Sequence, residues 1–250
     1  MKIIISPSKT QKITRLTGVP FKSLIYDEKT NYLVKLMKKL KTAEIKKMMK
    51  TSDKLTDEIH NNYKNFFTAD SGHAVASYTG IAYRTLWAGD FSKKETEYME
   101  KHLVILSALY GVLTPLTEVS LYRLDMTMSI LKKGSLYEFW QESINEYFEK
   151  EELIINLASK EFSKMIKKPL INIEFFEEKN GGLVQISTNS KKARGEMAKL
   201  IIKNKTEKLN DIKKITFSGY EFNKKLSTSG FRGQAKLSFK NWQTLSSPSS

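Results

Sequence analysis

The chain has 250 residues, of which 40% are hydrophobic and 28% charged, a composition typical of a folded protein rather than a disordered one. It has no cysteine, which excludes disulfides, thiol chemistry and cysteine-ligated metal centres. Its net charge of +15 is concentrated at the two ends, with 13 basic against 3 acidic residues in 1–50 and 10 against 3 in 201–250.

A basic excess of this size favours a polyanionic partner, either nucleic acid or an anionic lipid surface. The alternative is that the lysines simply solvate ordinary helix faces. The longest apolar run, residues 103–113, is well short of the roughly 20 residues that span a bilayer, and the N-terminus does not resemble a signal peptide. We therefore expect a cytoplasmic protein that does not act at a membrane.

The first two thirds of the chain predict helices around short buried strands. An apolar run predicts a strand over Lys2–Ser6. Helical spacing of apolar residues and serine caps predict helices that begin at Tyr26, Ala43, Asp53, Ser92 and Ser135. Short apolar runs predict two more strands, His102–Leu109 and Leu153–Leu157.

The last third predicts a hairpin, a helix and two late strands. The hairpin joins Leu170–Glu178 to Leu183–Thr188 through Asn180-Gly181-Gly182. A helix is predicted over Ser190–Lys205, and strands over Ile212–Ser218 and Ala235–Lys240. We expect one mixed α/β domain over residues 1–245, with a disordered tail at 246–250.

Common catalytic and cofactor motifs are absent from the sequence. It has no phosphate loop, no dinucleotide fingerprint, no nucleophile elbow and no His-Glu-x-x-His. The three histidines, His60, His73 and His102, lack the spacing of metal ligands. We expect neither a metal ion nor a cofactor.

The segment ISPSKT places Ser6, Ser8 and Lys9 directly after the first predicted strand. Ligands of α/β proteins usually bind at the carboxyl edge of the sheet, where this segment should lie. Hydroxyls and an ammonium suit an anionic group. The alternative is a polar turn in which the hydroxyls satisfy the local backbone.

The segment SKKARGEMAKLII places Lys191, Lys192 and Arg194 in the first turn of a predicted helix. Cations there face the positive end of the helix dipole, which is mildly unfavourable unless an anion lies between them. Gly195 is also unusual, because glycine inside a helix is disfavoured unless something approaches closely. The segment is a candidate phosphate contact.

The lysine-free segment ALYGVLTPLTEVSLYRLDM carries Tyr110, Tyr122, Arg123 and Asp125. One interpretation is a lined cleft in which a tyrosine stacks on a ring and the arginine meets a phosphate. The other is a structural corner in which Asp125 holds Arg123. These residues alone do not separate the two.

Taken together, these segments resemble the peroxide stress protein YaaA family over nearly the whole chain, to about residue 222. The resemblance is carried by ISPSKT at the start, SDKL at 52–55, LYGVLTPL at 109–116, YRLDM at 122–126, LYEFW at 136–140, NLAS at 156–159, KKARG at 191–195 and GYEF at 219–222.

The resemblance implies a cytoplasmic α/β protein with a basic cleft and a helix-hairpin-helix-like element that binds double-stranded DNA and limits peroxide and iron damage. By position that element is residues 36–55. We predict that basic side chains in three segments bind DNA: Lys9, Lys47, Lys50, Lys54, Lys191, Lys192 and Arg194. The chain departs from the family pattern at Thr79 and Ile81, which flank Gly80 where Lys-Gly-Asp is usual, and at Thr114 and Thr117, where an Arg and an Asp are usual.

Two functional hypotheses follow. The first is a non-enzymatic protein, expected to be a monomer, that binds duplex DNA with little sequence preference, because no helix resembles a base-reading one. The alternative is an enzyme that acts on a nucleotide or modified base in a cleft lined by Ser6, Lys9, Tyr122 and Arg123. No carboxylate and nucleophile pair can be assigned to it, although a small anionic ligand would suit such a cleft.

Overall fold

Three consecutive isoleucines form the centre of the sheet. Strand β1 (Lys2–Ile5) lies between two parallel neighbours, β3 (Leu103–Ser107) and β6 (Ile154–Asn156). Ile3 and Ile4 are fully buried, as expected for a strand covered on both faces. The computed structural model describes residues 1–86, 88–179, 181–228 and 235–241. The tail predicted at 246–250 lies outside these residues.

The main sheet is mixed, as predicted, and mostly parallel. The remaining strands are β2 (Gly72–His73), β4 (Gly111–Leu113), β5 (Glu118–Val119), β7 (Ile171–Lys179), β8 (Gly182–Val184), β9 (Tyr220–Phe222) and β10 (Ala235–Asn241). Within the described residues the order is β4-β3-β1-β6-β7-β10-β9, with β8 paired to β7. Strands β3, β1, β6, β7 and β10 run parallel, and β4, β8 and β9 pair antiparallel. Strands β2 and β5 form a separate two-stranded ladder.

Helices flank this sheet. They are α1 (Asp27–Lys39), α2 (Thr42–Met49), α3 (Asp53–Lys64), α4 (Ala74–Ser77), α5 (Ile81–Leu86), α6 (Lys93–His102), α7 (Leu136–Phe148), α8 (Lys160–Ser163), α9 (Ser187–Lys203) and α10 (Leu209–Ile212). None of the described helices is long and apolar enough to cross a membrane. The predicted α/β class is confirmed, while the short helices α4, α5, α8 and α10 were not expected from the sequence.

Serine caps fix where three of the predicted helices begin. Ser92 and Ser135 each accept a backbone N–H from a glutamate three residues on, and that glutamate accepts the serine's own N–H. Ser52 accepts the N–H of Leu55 at the start of α3. Each cap satisfies donors that the first helical turn leaves free, so these starts were predictable from the sequence.

One tight contact ties α7 to the sheet. Gly111 has φ +71°, and the indole ring of Trp140 packs against its backbone so closely that a Cβ would lie 2.6 Å from the ring. Trp140 is fully buried and its Nε1 donates to the carbonyl oxygen of Ala108 at 2.9 Å. Glycine is required here both for its backbone angle and for the space it leaves. The buried side chains form one continuous core around this contact.

Two predictions near the carboxyl end were wrong. Residues 212–218 were expected to form a strand, but they contain the end of α10 and a turn, and the strand β9 begins only at Tyr220. Ile212 and Ile215 are both buried and lie three residues apart, a spacing that fits a helical turn. The second strand of the hairpin ends at Val184, because α9 begins at Ser187 rather than Ser190.

The chain path places a crevice at the carboxyl end of β1. The chain runs from β1 to its neighbour β3 on one side and, after β4 and β5, crosses to β6 on the other side. Parallel α/β sheets open a crevice at such a point, outside the carboxyl ends of the strands, and ligands commonly bind there. The loops after β1 and β6 therefore border a site whose position follows from the strand order.

Candidate functional site

A cavity of about 630 Å³ lies at this crevice. Its walls come from five segments that are far apart in the sequence: the loop after β1 (residues 5–11), the start of α5 (79–84), residues 122–125, the loop after β6 together with α8 (157, 159, 161 and 162), and Lys191 and Arg194 of α9. One cavity is therefore lined by candidate residues that the sequence offered in three separate segments: Ser6, Ser8, Lys9, Tyr122, Arg123, Lys191 and Arg194.

Serines join the ends of β1 and β6 at the base of this cavity. Ser6 Oγ accepts the backbone N–H of Ser159 at 2.8 Å and donates to Ser159 Oγ at 3.2 Å. The hydroxyl of Tyr83, on α5, donates to the carbonyl oxygen of Ser6 at 2.8 Å. The hydroxyl of Ser6 thus joins the two loops and its carbonyl oxygen holds α5, which makes the base of the cavity rigid.

Asp125 pairs with Lys9, not with Arg123, the partner that one of the two interpretations gave it. The Nζ of Lys9 lies 2.6 Å from Oδ2 of Asp125, and 57% of the lysine side chain is exposed. Asp125 therefore does not hold Arg123, and the structural-corner interpretation is wrong in that respect. Gly80 allows Ser8 to approach, because a Cβ there would collide with the Ser8 hydroxyl.

Tyr122 forms part of the wall through a buried hydroxyl network. Its hydroxyl lies 2.9 Å from that of Tyr78 and 2.8 Å from Ser107 Oγ. Burial raises the pKa of Tyr122 to about 12, and its hydrogen bonds with Ser107 and Tyr78 partly offset this, so the phenol stays neutral at physiological pH. Tyr110, also expected to line the cleft, is 1% exposed and is not among the lining residues. Its ring packs edge-on behind Tyr122, with centroids 5.1 Å apart.

Two arginines of the cavity wall have unsatisfied donors. The Nε atoms of Arg123 and Arg194 are both buried, and neither has a hydrogen-bond partner among the described residues. Burial lowers the pKa of Arg194, which the charge of Glu174 partly offsets, but a guanidinium remains cationic at any physiological pH. A buried donor left unsatisfied costs about 1–3 kcal/mol. An anionic acceptor in the cavity would remove that cost.

Arg194 is brought to the cavity by a close contact between α9 and α5. A Cβ on Gly195 would collide with the carbonyl oxygen of Ala82, so glycine lets the two helices approach, as the sequence suggested. Because α9 begins at Ser187, Lys191 and Arg194 lie in its second turn rather than its first. The predicted unfavourable contact of these cations with the helix dipole is therefore wrong, since that effect fades beyond the first turn.

The cavity is strongly cationic. Its described lining includes five basic side chains, Lys9, Arg84, Arg123, Lys191 and Arg194, against two acidic ones, Asp125 and Glu161, a balance of +3. Both carboxylates are already engaged, Asp125 with Lys9 and Glu161 through Oε1 with the backbone N–H of Met126 at 3.0 Å. Arg84 and Glu161 were not selected from the sequence, in which nothing distinguishes them from surface residues. The arrangement suits a ligand with negative charge.

The other predicted DNA-binding residues lie outside the cavity lining. Lys192 is exposed on α9 beside Lys191. Lys47, Lys50 and Lys54 are exposed around the short turn between α2 and α3, where Lys50 has a left-handed backbone with φ +50°. This helix pair contacts the cavity wall indirectly, because Tyr63 of α3 donates its hydroxyl to the carbonyl oxygen of Arg123 at 3.0 Å.

The departures from the family pattern fall into two groups. Thr79 and Ile81, which stand where the resemblance places a lysine and an aspartate, line the cavity. Thr114 and Thr117, which stand where the resemblance places an arginine and an aspartate, do not line it. Their hydroxyls are hydrogen-bonded to each other at 2.9 Å. A neutral hydrogen bond therefore joins the two threonines of this second group.

Comparison with known proteins identifies relatives over most of the chain. The sequence profile described as "Peroxide stress protein YaaA" matches residues 1–226. The UPF0246 protein FN1762 of Fusobacterium nucleatum is 39% identical over 237 residues, covering 91% of this chain and 95% of that protein. A UPF0246 protein of Francisella philomiragia is 39% identical over 245 residues, with 91% and 96% covered. One of Finegoldia magna is 40% identical over 235 residues, with 91% and 94% covered.

Proposed function

The chain belongs to the peroxide stress protein YaaA family, and we propose that it serves the peroxide stress response as a cytoplasmic protein that binds double-stranded DNA. The observation that carries the proposal is the convergence of five basic side chains on one cleft whose two carboxylates are already engaged. DNA carries a phosphate charge about every 1.7 Å along its axis, so such a cleft attracts it strongly at low salt.

Two basic surfaces support contact with a duplex. The first is the rim of the cleft, where Lys191 lines the cavity and the exposed Lys192 lies beside it on α9. The second is the turn between α2 and α3, which exposes Lys47, Lys50 and Lys54. Lysines that contact phosphate position a protein on DNA without reading its sequence, so we expect little sequence preference. A duplex covered in this way is shielded from peroxide and iron.

A salt titration tests the proposal. Changing Lys191 and Lys192 to Gln should flatten the plot of log affinity against log salt by about 1.8 units, at about 0.9 per phosphate contact. The matched control changes Lys93 and Lys94 to Gln, an equal loss of charge at exposed positions of α6 that do not line the cavity. The control should keep the wild-type slope.

Two further measurements test the sequence preference of binding and the protection of DNA. Unrelated duplexes of equal length should bind within a thousandfold of one another, because specific regulators discriminate by roughly that factor or more. Plasmid exposed to ferrous iron and peroxide should be nicked less in the presence of the wild-type protein than of the Lys191 and Lys192 variant. If the variant and the control give equal slopes, the cleft rim does not contact DNA. If the protein binds no duplex, the proposal is refuted.

A further inference from the structure

The cavity is too small for a duplex and too large for a bare anion. Its volume of about 630 Å³ lies within the roughly 300–1,000 Å³ in which proteins hold small organic ligands. A duplex about 20 Å wide can meet only its rim, whereas inorganic phosphate would leave most of the space unfilled. The interior therefore fits a ligand of intermediate size.

The interior is lined by apolar side chains as well as by cations. Ile5, Leu157 and Phe162 supply an apolar surface where the carboxyl ends of β1 and β6 meet. Arg123 and Arg194 line the same cavity, and each has a buried Nε–H without a partner in the described structure. An apolar surface fits a flat organic ring, and two guanidinium groups with free donors fit phosphate oxygens.

The surrounding structure holds this arrangement in place. Ser6 and Ser159 fasten the two strand ends to each other, and Gly195 fixes α9, which carries Arg194, against α5. These contacts hold the backbone around the arginines in place. An anionic group can therefore bind with little reorganisation of the cavity.

We propose that this cavity binds one phosphorylated small molecule of nucleotide size, of the class of nucleoside monophosphates, in a site distinct from the rim that meets DNA. The phosphate lies against Arg123 and Arg194, and the ring system lies against the apolar surface. The proposal goes beyond duplex binding and does not depend on it.

Calorimetric titration of the full-length protein tests the ligand class. The probes are the four nucleoside 5′-monophosphates, adenosine and inorganic phosphate, each measured in dilute buffer and at higher salt. We expect at least one nucleotide to bind at one molecule per chain, at least tenfold more tightly than either adenosine or phosphate. Saturating nucleotide should also raise the Tm of the wild-type protein, because a ligand that binds only the folded state stabilises it.

Variants locate the site. Arg123→Gln and Arg194→Gln should each weaken nucleotide binding at least tenfold, the loss expected for a charge-assisted contact. Arg15→Gln is the matched control, since Arg15 is exposed, lies outside the cavity lining and makes its hydrogen bond to Ser71. A Tm measurement on each variant separates lost binding from lost folding, and the Tm shift of the wild-type protein needs no variant.

The outcomes separate the two proposals. If no nucleotide binds saturably, or phosphate alone binds equally well, the small-ligand site is refuted while duplex binding stands or falls on its own titration. If both arginine variants fold and bind nucleotide like wild type, the site lies elsewhere and the inference is overturned. If nucleotide binds as expected but duplex does not, the cavity is supported and the DNA proposal fails.

Discussion

Replacing Gly195 by alanine should destabilise the protein even though alanine is the better helix former. The added methyl group gains about 1 kcal/mol of helix propensity. It also collides with the backbone of Ala82, whose carbonyl carbon and Cα would lie 2.8 and 2.9 Å from the new Cβ and whose carbonyl oxygen would lie closer still. Backbone atoms cannot rotate aside, so α9 and α5 must separate.

Overpacking of this kind typically costs 1–3 kcal/mol, and a backbone clash belongs near the upper end. After the gain in propensity is subtracted, we expect a net loss of about 1–2 kcal/mol. For a domain of this size each kcal/mol corresponds to roughly 2–4 °C in Tm, so the variant should melt about 2–8 °C lower.

The assay is thermal and urea unfolding followed by circular dichroism. Gly182→Ala is the matched control, because a Cβ there meets only the carbonyl oxygen of Lys179 at an ordinary 3.7 Å. It should leave the Tm unchanged or slightly raised. A Gly195→Ala protein that melts at or above the wild-type temperature would refute the inferred close contact between the helices, and with it the reason for a glycine at this position.

Three other results are expected. Tyr122→Phe should lower stability by about 1–3 kcal/mol in urea unfolding, because it leaves the hydroxyls of Tyr78 and Ser107 without their shared partner; no loss would mean that water replaces the hydroxyl. Lys9→Gln should change stability by less than about 1 kcal/mol, as its ion pair with Asp125 is largely exposed on the lysine side; a larger loss in the same assay would make that pair structural. The free energy of unfolding should fall above about pH 10, by up to about 1.4 kcal/mol per pH unit for each buried tyrosine. Tyrosines of the unfolded chain ionise near pH 10, whereas the pKa of Tyr122 in the folded protein is about 12. Absorbance at 295 nm should show buried tyrosines ionising only as the chain unfolds, and ionisation near pH 10 in the folded state would contradict the burial.

The sequence predicted elements wherever the local signal was strong. Ser92 and Ser135 marked helix starts because capping is a local interaction, and the isoleucines of β1 marked a buried strand because both of its faces are covered. The start of α9 was misplaced because its first turn, from Ser187, has no buried residue and no apolar periodicity. Six-residue α5 left no periodic pattern to read.

The candidate site was only partly predictable for a related reason. ISPSKT and the residues around Arg123 were selected because unusual residue types cluster there, but the partner of Asp125 is Lys9, 116 residues away. Gly195 indicated a close approach without indicating that Ala82 is the approaching residue. Arg84 was missed because an exposed arginine carries no sign in the sequence of the cavity beside it. Long-range pairings of this kind depend on the tertiary fold.

The central position of β1 has a consequence for biosynthesis. Ile3–Ile5 pair with Leu103–Ile105, and Lys2–Ile4 pair with Ile154–Asn156, so the second partner strand is translated about 150 residues after β1. Ribosomes add about 5–20 residues per second, so β1 waits roughly 8–30 s for that strand. During this interval at least one edge of an apolar strand has no native partner, and such edges promote aggregation. The nascent chain is therefore exposed to aggregation during its own translation, until β6 emerges.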